Sequence, residues 1–214
     1  SEFEIALVIM EGSRRDEPEF ASILKLTQHT EVAVEFCGRK DVGFIKDTET
    51  FPGVLAVVDQ QEIDLEDLVE GPIICLDNIK DPGNLGTIIR TADWFGIKNI
   101  LLSENSVDPY NPKVVRSTMG SMFHVHIFET GNLKKTLKKL KENFEYKIYS
   151  LDLKGKKLST LKPSPKSVYI FGSESHGVSE GLDELIDERY TIEKKGEAES
   201  LNVAIATGIL LSNL

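Results

Sequence analysis

From Pro72 onward, short apolar runs alternate with stretches of helical periodicity. Residues 73–76, 99–102, 123–128, 146–151, 168–171 and 190–192 each have the length and composition of a strand. Between the first two, residues 85–95 place Leu85, Ile88, Ile89, Ala92 and Phe95 on one stripe, which predicts an amphipathic helix with a buried face. Thr87, Arg90, Thr91 and Trp94 fall on another face. Asn111-Pro112 opens a further helix through Met119, with proline suited to a first turn. Residues 133–144 read as a lysine-rich helix and 154–165 as a polar loop. Residues 201–214 read as a helix apolar on nearly every side, which predicts burial in a core or a subunit interface. Parallel strands need crossover connections, and a helix is the usual one. The pattern therefore predicts an α/β domain with a mainly parallel six-stranded sheet covered on both faces.

A smaller α/β module precedes it. Residues 5–10, 32–36 and 54–58 read as strands, and 17–27 as a helix with Phe20, Ile23, Leu24 and Thr27 at helical spacing. Phe51-Pro52-Gly53 punctuates before the last strand. The expected division is a small domain over 1–60, shortened at its start, an acidic solvated linker over 61–71, and the main domain over 72–214. The net charge of −10 argues against indiscriminate binding of polyanions. Its distribution qualifies that: acidic side chains dominate residues 1–71, whereas lysines dominate 132–166. A polyanion responds to the local field as well as to the total. No apolar run is long enough to span a bilayer. The acidic start lacks the basic-then-apolar order of a secretory signal. The expectation is a cytoplasmic protein in which Cys37 and Cys75 are buried thiols. His29, His124 and His126 have no evident partner set, so no metal site is expected.

Polar residues gather at the predicted strand-to-helix junctions, where α/β domains hold ligands. Gly172 and Gly177 bracket a turn after the strand at 168–171, and glycine lets a ligand approach the backbone. The spacing is neither that of a dinucleotide fingerprint nor that of a phosphate loop. Asn84 stands where its side chain could simply cap a helix. Arg90 follows six residues later, off the buried stripe, as a surface arginine would. Ser200 directly precedes the apolar helix and is a candidate N-cap. Asn202 lies in that helix's first turn, where a buried amide needs partners.

These segments occur in a telling order. Asp81-Pro82-Gly83-Asn84-Leu85-Gly86-Thr87-Ile88-Ile89-Arg90, then Phe171-Gly172-Ser173-Glu174-Ser175-His176-Gly177, then Gly196-Glu197-Ala198-Glu199-Ser200-Leu201-Asn202 resemble the three motifs of the SpoU/TrmH family of RNA ribose 2'-O-methyltransferases. Asn111-Pro112-Lys113-Val114-Val115-Arg116-Ser117 is similar to the segment between the first two. The resemblance covers roughly residues 72–214. It implies the SPOUT-type fold with a C-terminal trefoil knot, a homodimer whose active site is completed across the interface, and S-adenosylmethionine as cofactor. It implies a catalytic set of Asn84, Arg90, Glu174, Ser200 and Asn202. It implies a cofactor loop set of Ile170, Phe171, Gly172, Ser173, Gly177, Ile192, Leu201 and Asn202. Residues 47–58 resemble the end of the accessory RNA-recognition domain of many members, which tilts the implied structured RNA toward ribosomal RNA. Methylation of a transfer RNA ribose, methylation of a base, and a non-catalytic RNA-binding role stay open. The last is raised by Ile192-Glu193-Lys194, where members usually carry Ile-Pro-Met, a change expected to loosen the cofactor loop.

Overall fold

In the computed structural model, residues 3–38, 40–41, 51–173 and 176–214 are described, and the chain forms two units, Ser1–Glu62 and Ile63–Leu214. In the first unit, β1 (Ile5–Glu11) lies between β2 (Ala33–Cys37) and β3 (Val54–Val58). β1 pairs parallel with β2 and antiparallel with β3. The parallel pair needs a crossover, and α1 (Pro18–Thr30) supplies it, with proline in its first turn and Glu31 left-handed at its end. Val8, Met10 and Phe20 form the small core. The Arg14 guanidinium lies 4.4 Å from the Phe20 ring centroid, is held by Glu17, and donates to the Pro52 carbonyl at 2.7 Å. Cys37 is only half-buried, contrary to expectation, because it ends a strand whose residues are mostly exposed.

The second unit carries β4 (Ile73–Leu76), β5 (Asn99–Ser103), β6 (His126–Thr130), β7 (Lys147–Lys157), β8 (Ser167–Phe171) and β9 (Glu188–Thr191). Their order is β6-β5-β4-β8-β7-β9, with every neighbouring pair parallel. Every residue of β4, β5 and β8 is buried, as strands covered on both faces must be. One face packs against α2 (Pro82–Trp94) and α5 (Val203–Leu211) through Leu85, Ile88, Ile89, Val203, Leu210 and Leu211. The other packs against α4 (Leu133–Phe144) through Leu133, Leu137 and Leu140. A short helix, α3 (Pro112–Thr118), fits closely against α2 at Gly86, where a Cβ would overlap Ser117. The chain steps outward from β4 to β5 and β6, then crosses to β7 and returns through β8 beside β4. The β4/β8 junction is thus the point where strand order reverses, and the crevice beyond their carboxyl ends is the expected ligand site.

Four expectations need correction. Residues 61–71 are not wholly a solvated linker: Asp64 and Asp67 form a capping box on a 3₁₀ turn, Leu65–Val69, that buries Leu65 and Leu68 against the α4 face. The acidic side chains stay outside, and Glu66 accepts from Lys139 Nζ at 2.7 Å. Residues 154–165 are not simply a loop. β7 runs to Lys157, pairs with β9 across an irregularity between Leu151 and Lys156, and is followed by the buried Leu158 and Leu161. Gly155 permits this, since a Cβ there would sit 2.5 Å from the Arg189 carbonyl oxygen. Phe95 is not on the buried stripe of α2; it follows the helix end and is partly exposed. Residues 121–124 form a 3₁₀ turn, so β6 begins only at His126.

Candidate active site

Asp77 follows β4 directly and is 2 % exposed. Its N–H donates to the Phe171 carbonyl at 2.9 Å, continuing the β4/β8 ladder past the strand ends. Its carboxylate accepts from the Ser179 N–H at 2.7 Å and from Asn78 Nδ2 at 2.8 Å. Asn78 adopts the left-handed conformation (φ 59°), and its N–H donates to Ser103 Oγ at 2.8 Å. The carboxyl ends of β4, β5 and β8 are thus tied into one frame. Complete burial, and secondarily the same carboxylate, pushes the Cys75 thiol well up, which disfavours the thiolate.

Asp81 caps α2 by accepting from the Asn84 N–H at 2.7 Å. The capping role considered for Asn84 is therefore taken by Asp81, and the Asn84 side chain points elsewhere. Its Oδ1 accepts from Asn202 Nδ2 at 2.9 Å, joining residues 118 apart in sequence. Asn202 Oδ1 in turn accepts from the N–H groups of Ala204 at 2.9 Å and Ile205 at 3.3 Å. Asn202, not Ser200, is the N-cap of α5, and Ser200 is exposed outside the helix. α5 packs on α2 with Gly208 against Thr91. One amide thus caps one helix and fastens it to the start of another.

The loop after β8 is pinched shut at its base. The Ser173 N–H donates to the Gly177 carbonyl at 3.1 Å, and the Gly177 N–H returns the bond at 2.8 Å. A Cβ on Gly172 would overlap the backbone of Gly177 and Val178, so only glycine fits there. Gly177 has φ +68°, again a glycine conformation. Glu174, expected in the catalytic set, lies outside the described residues. Between this loop and α2 opens a cleft of about 730 Å³, lined by Asp81, Asn84, Ser173, Gly177, Ser179 and Val203 among others. That volume suits a small-molecule site.

The structure brings Asn84, Asn202, Ser173 and Gly177 together. Ile170 and Phe171 lie in the buried strand behind the cleft. Ile192 is half-buried against the α2 side of the core, and Leu201 is exposed; neither lines the cleft. Arg90 is exposed, and its guanidinium has no partner among the described residues. It lies about 9 Å further along α2 than Asn84, from the helical rise. Asp77 and Asn78 escaped the sequence reading; the available signal was a lone Asp-Asn pair ending a wholly apolar strand. In the changed segment, Glu193 pairs with Lys157 at 2.9 Å.

The basic surface also differs from its sequence pattern. Lys134, Lys138, Lys139 and Lys141 of α4 pair with Glu184, Glu142, Glu66 and Asp187. His124, expected to lack a partner, has Nδ1 3.1 Å from Asp93 Oδ2. Among the described residues, no group of three or more His, Cys, Asp or Glu side chains could hold a metal ion. No helix among them is long and apolar enough to cross a membrane.

A parallel sheet with a cleft at its switch point, bordered by a glycine-pinched loop and an asparagine bridge, is an α/β fold with a small-molecule site at the carboxyl ends of its strands. Residues 71–212 match the SpoU rRNA Methylase family, and the chain belongs to it. It is 35% identical over 171 residues to the 23S rRNA (guanosine(2553)-2'-O)-methyltransferase RlmP of Bacillus subtilis, covering 79% of this chain and 67% of that one. A solved TrmH-family structure from Porphyromonas gingivalis is 31% identical, with a TM-score of 0.82, covering 99% of this chain and 82% of its own. An AdoMet-bound rRNA methyltransferase from Sinorhizobium meliloti is 28% identical, with a TM-score of 0.84, covering 99% and 80%.

Proposed function

We propose that this protein methylates a ribose 2'-hydroxyl in ribosomal RNA. The observation that carries this is the Asn84–Asn202 bridge beside the Ser173–Gly177 loop, at the switch point of a SpoU-family sheet. Ribosomal RNA is chosen over transfer RNA on the names of the Bacillus subtilis and Sinorhizobium meliloti relatives, while others are named for either RNA. The cleft's size, and a glycine pair that keeps backbone accessible, fit S-adenosylmethionine. Ser173, Gly177 and Val203 would hold it, with Ile170, Phe171 and Gly172 behind them. The cofactor supplies a methyl group on a sulfonium, already activated toward a nucleophile. The acceptor hydroxyl is a poor nucleophile until its proton is shared or lost. Arginine stays protonated, so Arg90 serves by stabilising the developing alkoxide and orienting the adjacent phosphate. Asn84, held by Asn202, orients the ribose, and Glu174 and Ser200 complete the substrate-facing set.

Arg90 stands outside the cleft of its own chain, which fits a homodimer in which it reaches the partner's ribose. Trp94, one turn on and on the same face, is 85 % exposed, and Ile205 of α5 is 56 % exposed. Covering such residues would drive pairing at about 25 cal/mol per Å² of apolar surface. The return of the chain from the edge strand β9 to α2 fits a C-terminal trefoil knot. Residues 1–60 serve as an accessory RNA-binding domain joined through 61–71, and the protein acts in the cytoplasm. Primer extension on ribosomal RNA incubated with the protein and S-adenosylmethionine tests the reading. A new stop at one nucleotide under limiting deoxynucleotide supports it; an unchanged ladder from protein that binds the cofactor contradicts it.

A further inference from the structure

The ion pairs of α4 match four of its five lysines with carboxylates and leave only Lys135, so the stronger field for a polyanion lies elsewhere. A second cavity of about 670 Å³ opens at the other end of the sheet, by the first residues of β7 and β8. Lys147, Lys156, Lys162 and Lys166 line it, against Glu145 and Glu188. Glu188 is already engaged, by Lys156 at 2.9 Å and by the Tyr190 hydroxyl at 2.5 Å. Lys147, Lys162 and Lys166 form no close ion pair among the described residues, although the Lys147 charge helps hold the Glu188 carboxyl down, and Lys166 Nζ lies 5.0 Å from the Tyr146 ring centroid. The floor is aromatic. Tyr149, half-buried, sits between Tyr169 and Tyr190, with ring centroids 5.8 and 5.7 Å away, the latter edge-on. Its neighbours fix the ring at little further entropic cost on binding.

We propose that this cavity is a second RNA contact, in which Lys147, Lys162 and Lys166 hold backbone phosphates of a single strand and a base lies against Tyr149. It rests on the RNA-methyltransferase reading and adds a surface to it. Unpaired cations around an aromatic floor match the two chemical faces of a nucleotide, charge on one side and a π system on the other. Lys166 immediately precedes β8 and Ser173 closely follows it, so roughly 23 Å of extended chain separates the cavity from the cleft. An RNA reaching both would be held at the methylated ribose and again at one point along the strand. These contacts add affinity without choosing the base.

The test uses the full chain, the triple variant Lys147→Gln/Lys162→Gln/Lys166→Gln, and a uridine decamer read by fluorescence anisotropy across a salt series. These side chains are exposed, so folding is spared, and S-adenosylmethionine binding serves as the check. We expect the slope of log affinity against log salt to become shallower by about 2, from roughly 0.7 per lost contact on a single strand. The triple variant Lys134→Gln/Lys138→Gln/Lys141→Gln should leave the slope near wild type. A decamer labelled with 5-iodouridine should cross-link at or beside Tyr149. An unchanged slope, cross-links confined to other regions, no decamer binding by the wild type, or uridine monophosphate binding as tightly as the decamer would each overturn the proposal. Loss of decamer affinity in a protein that transfers no methyl group would instead refute the proposed reaction and leave this surface standing.

Discussion

Replacing Asn202 separates two jobs that one side chain performs. Its Oδ1 caps α5 through the N–H groups of Ala204 and Ile205, and its Nδ2 holds Asn84. Asn202→Ala removes both. Loss of the cap costs about 0.5–2 kcal/mol, and loss of the amide–amide bond a further 0.5–1.5 kcal/mol, roughly. α5 does not melt as a whole, because Val203, Ala204, Leu210 and Leu211 stay buried. The cost falls on the first turn. Hydrogen exchange at the amides of Ala204 and Ile205 should accelerate by on the order of 5–30-fold, the factor expected of one to two kcal/mol. Asn202→Ser keeps a cap and loses the bond to Asn84, so exchange should stay within a few fold of wild type while methyl transfer falls. Wild-type exchange rates in Asn202→Ala would show that Asn202 does not cap α5, and unimpaired transfer in Asn202→Ser would show that the bridge to Asn84 does no positioning.

Three further outcomes are expected. Arg90→Ala should leave S-adenosylmethionine affinity unchanged in calorimetry and slow single-turnover methyl transfer by about a hundredfold, the effect of removing one preorganised donor. Gly172→Ala drives a methyl into the backbone of Gly177 and Val178, a strain of about 1–3 kcal/mol; cofactor titration should show binding weaker by on the order of tenfold. Burial raises the Asp93 carboxyl, but hydrogen bonds from Ser121 and His124 outweigh it and hold the group below its ordinary value. A depressed carboxylate contributes stability above its unfolded pKa and loses it as pH falls through the folded one. Asp93→Asn should therefore lower the urea midpoint at pH 7, with the difference from wild type closing as the pH drops below the ordinary carboxylate range.

The elements most legible in the sequence were those whose pattern is local. β3, β4 and α4 begin and end where apolar spacing put them, at 54–58, 73–76 and 133–144. The turn at Leu65–Val69 was hidden because its acidic residues outweigh two leucines, and only tertiary packing decides which matters. The extension of β7 was hidden for a related reason: lysines on an exposed strand end look like a loop until β9 supplies the partner. Long-range pairs left no local trace. Lys139 meets Glu66 across 73 residues, and such pairs offset most of the charge of a helix that the sequence presents as a basic surface. In the cleft, motif order pointed to Asn84, Ser173, Gly177 and Asn202, which the fold gathers. The cap, however, belongs to Asn202, since a helix start depends on backbone geometry that Ser200 and Asn202 share equally in sequence. The Asp77–Asn78 frame was invisible because its partners, Ser103 at the end of β5 and Ser179 in the loop after β8, are distant in sequence.

The central claim is chemical: a methyl group goes from S-adenosylmethionine to a ribose oxygen. Ribosomal RNA incubated with the protein and methyl-labelled cofactor can be digested to nucleosides and resolved by mass spectrometry. The account predicts label in a nucleoside whose base, once released, carries none of it, and its loss in Arg90→Ala. Label on the released base, or no label from protein that binds the cofactor, would contradict it.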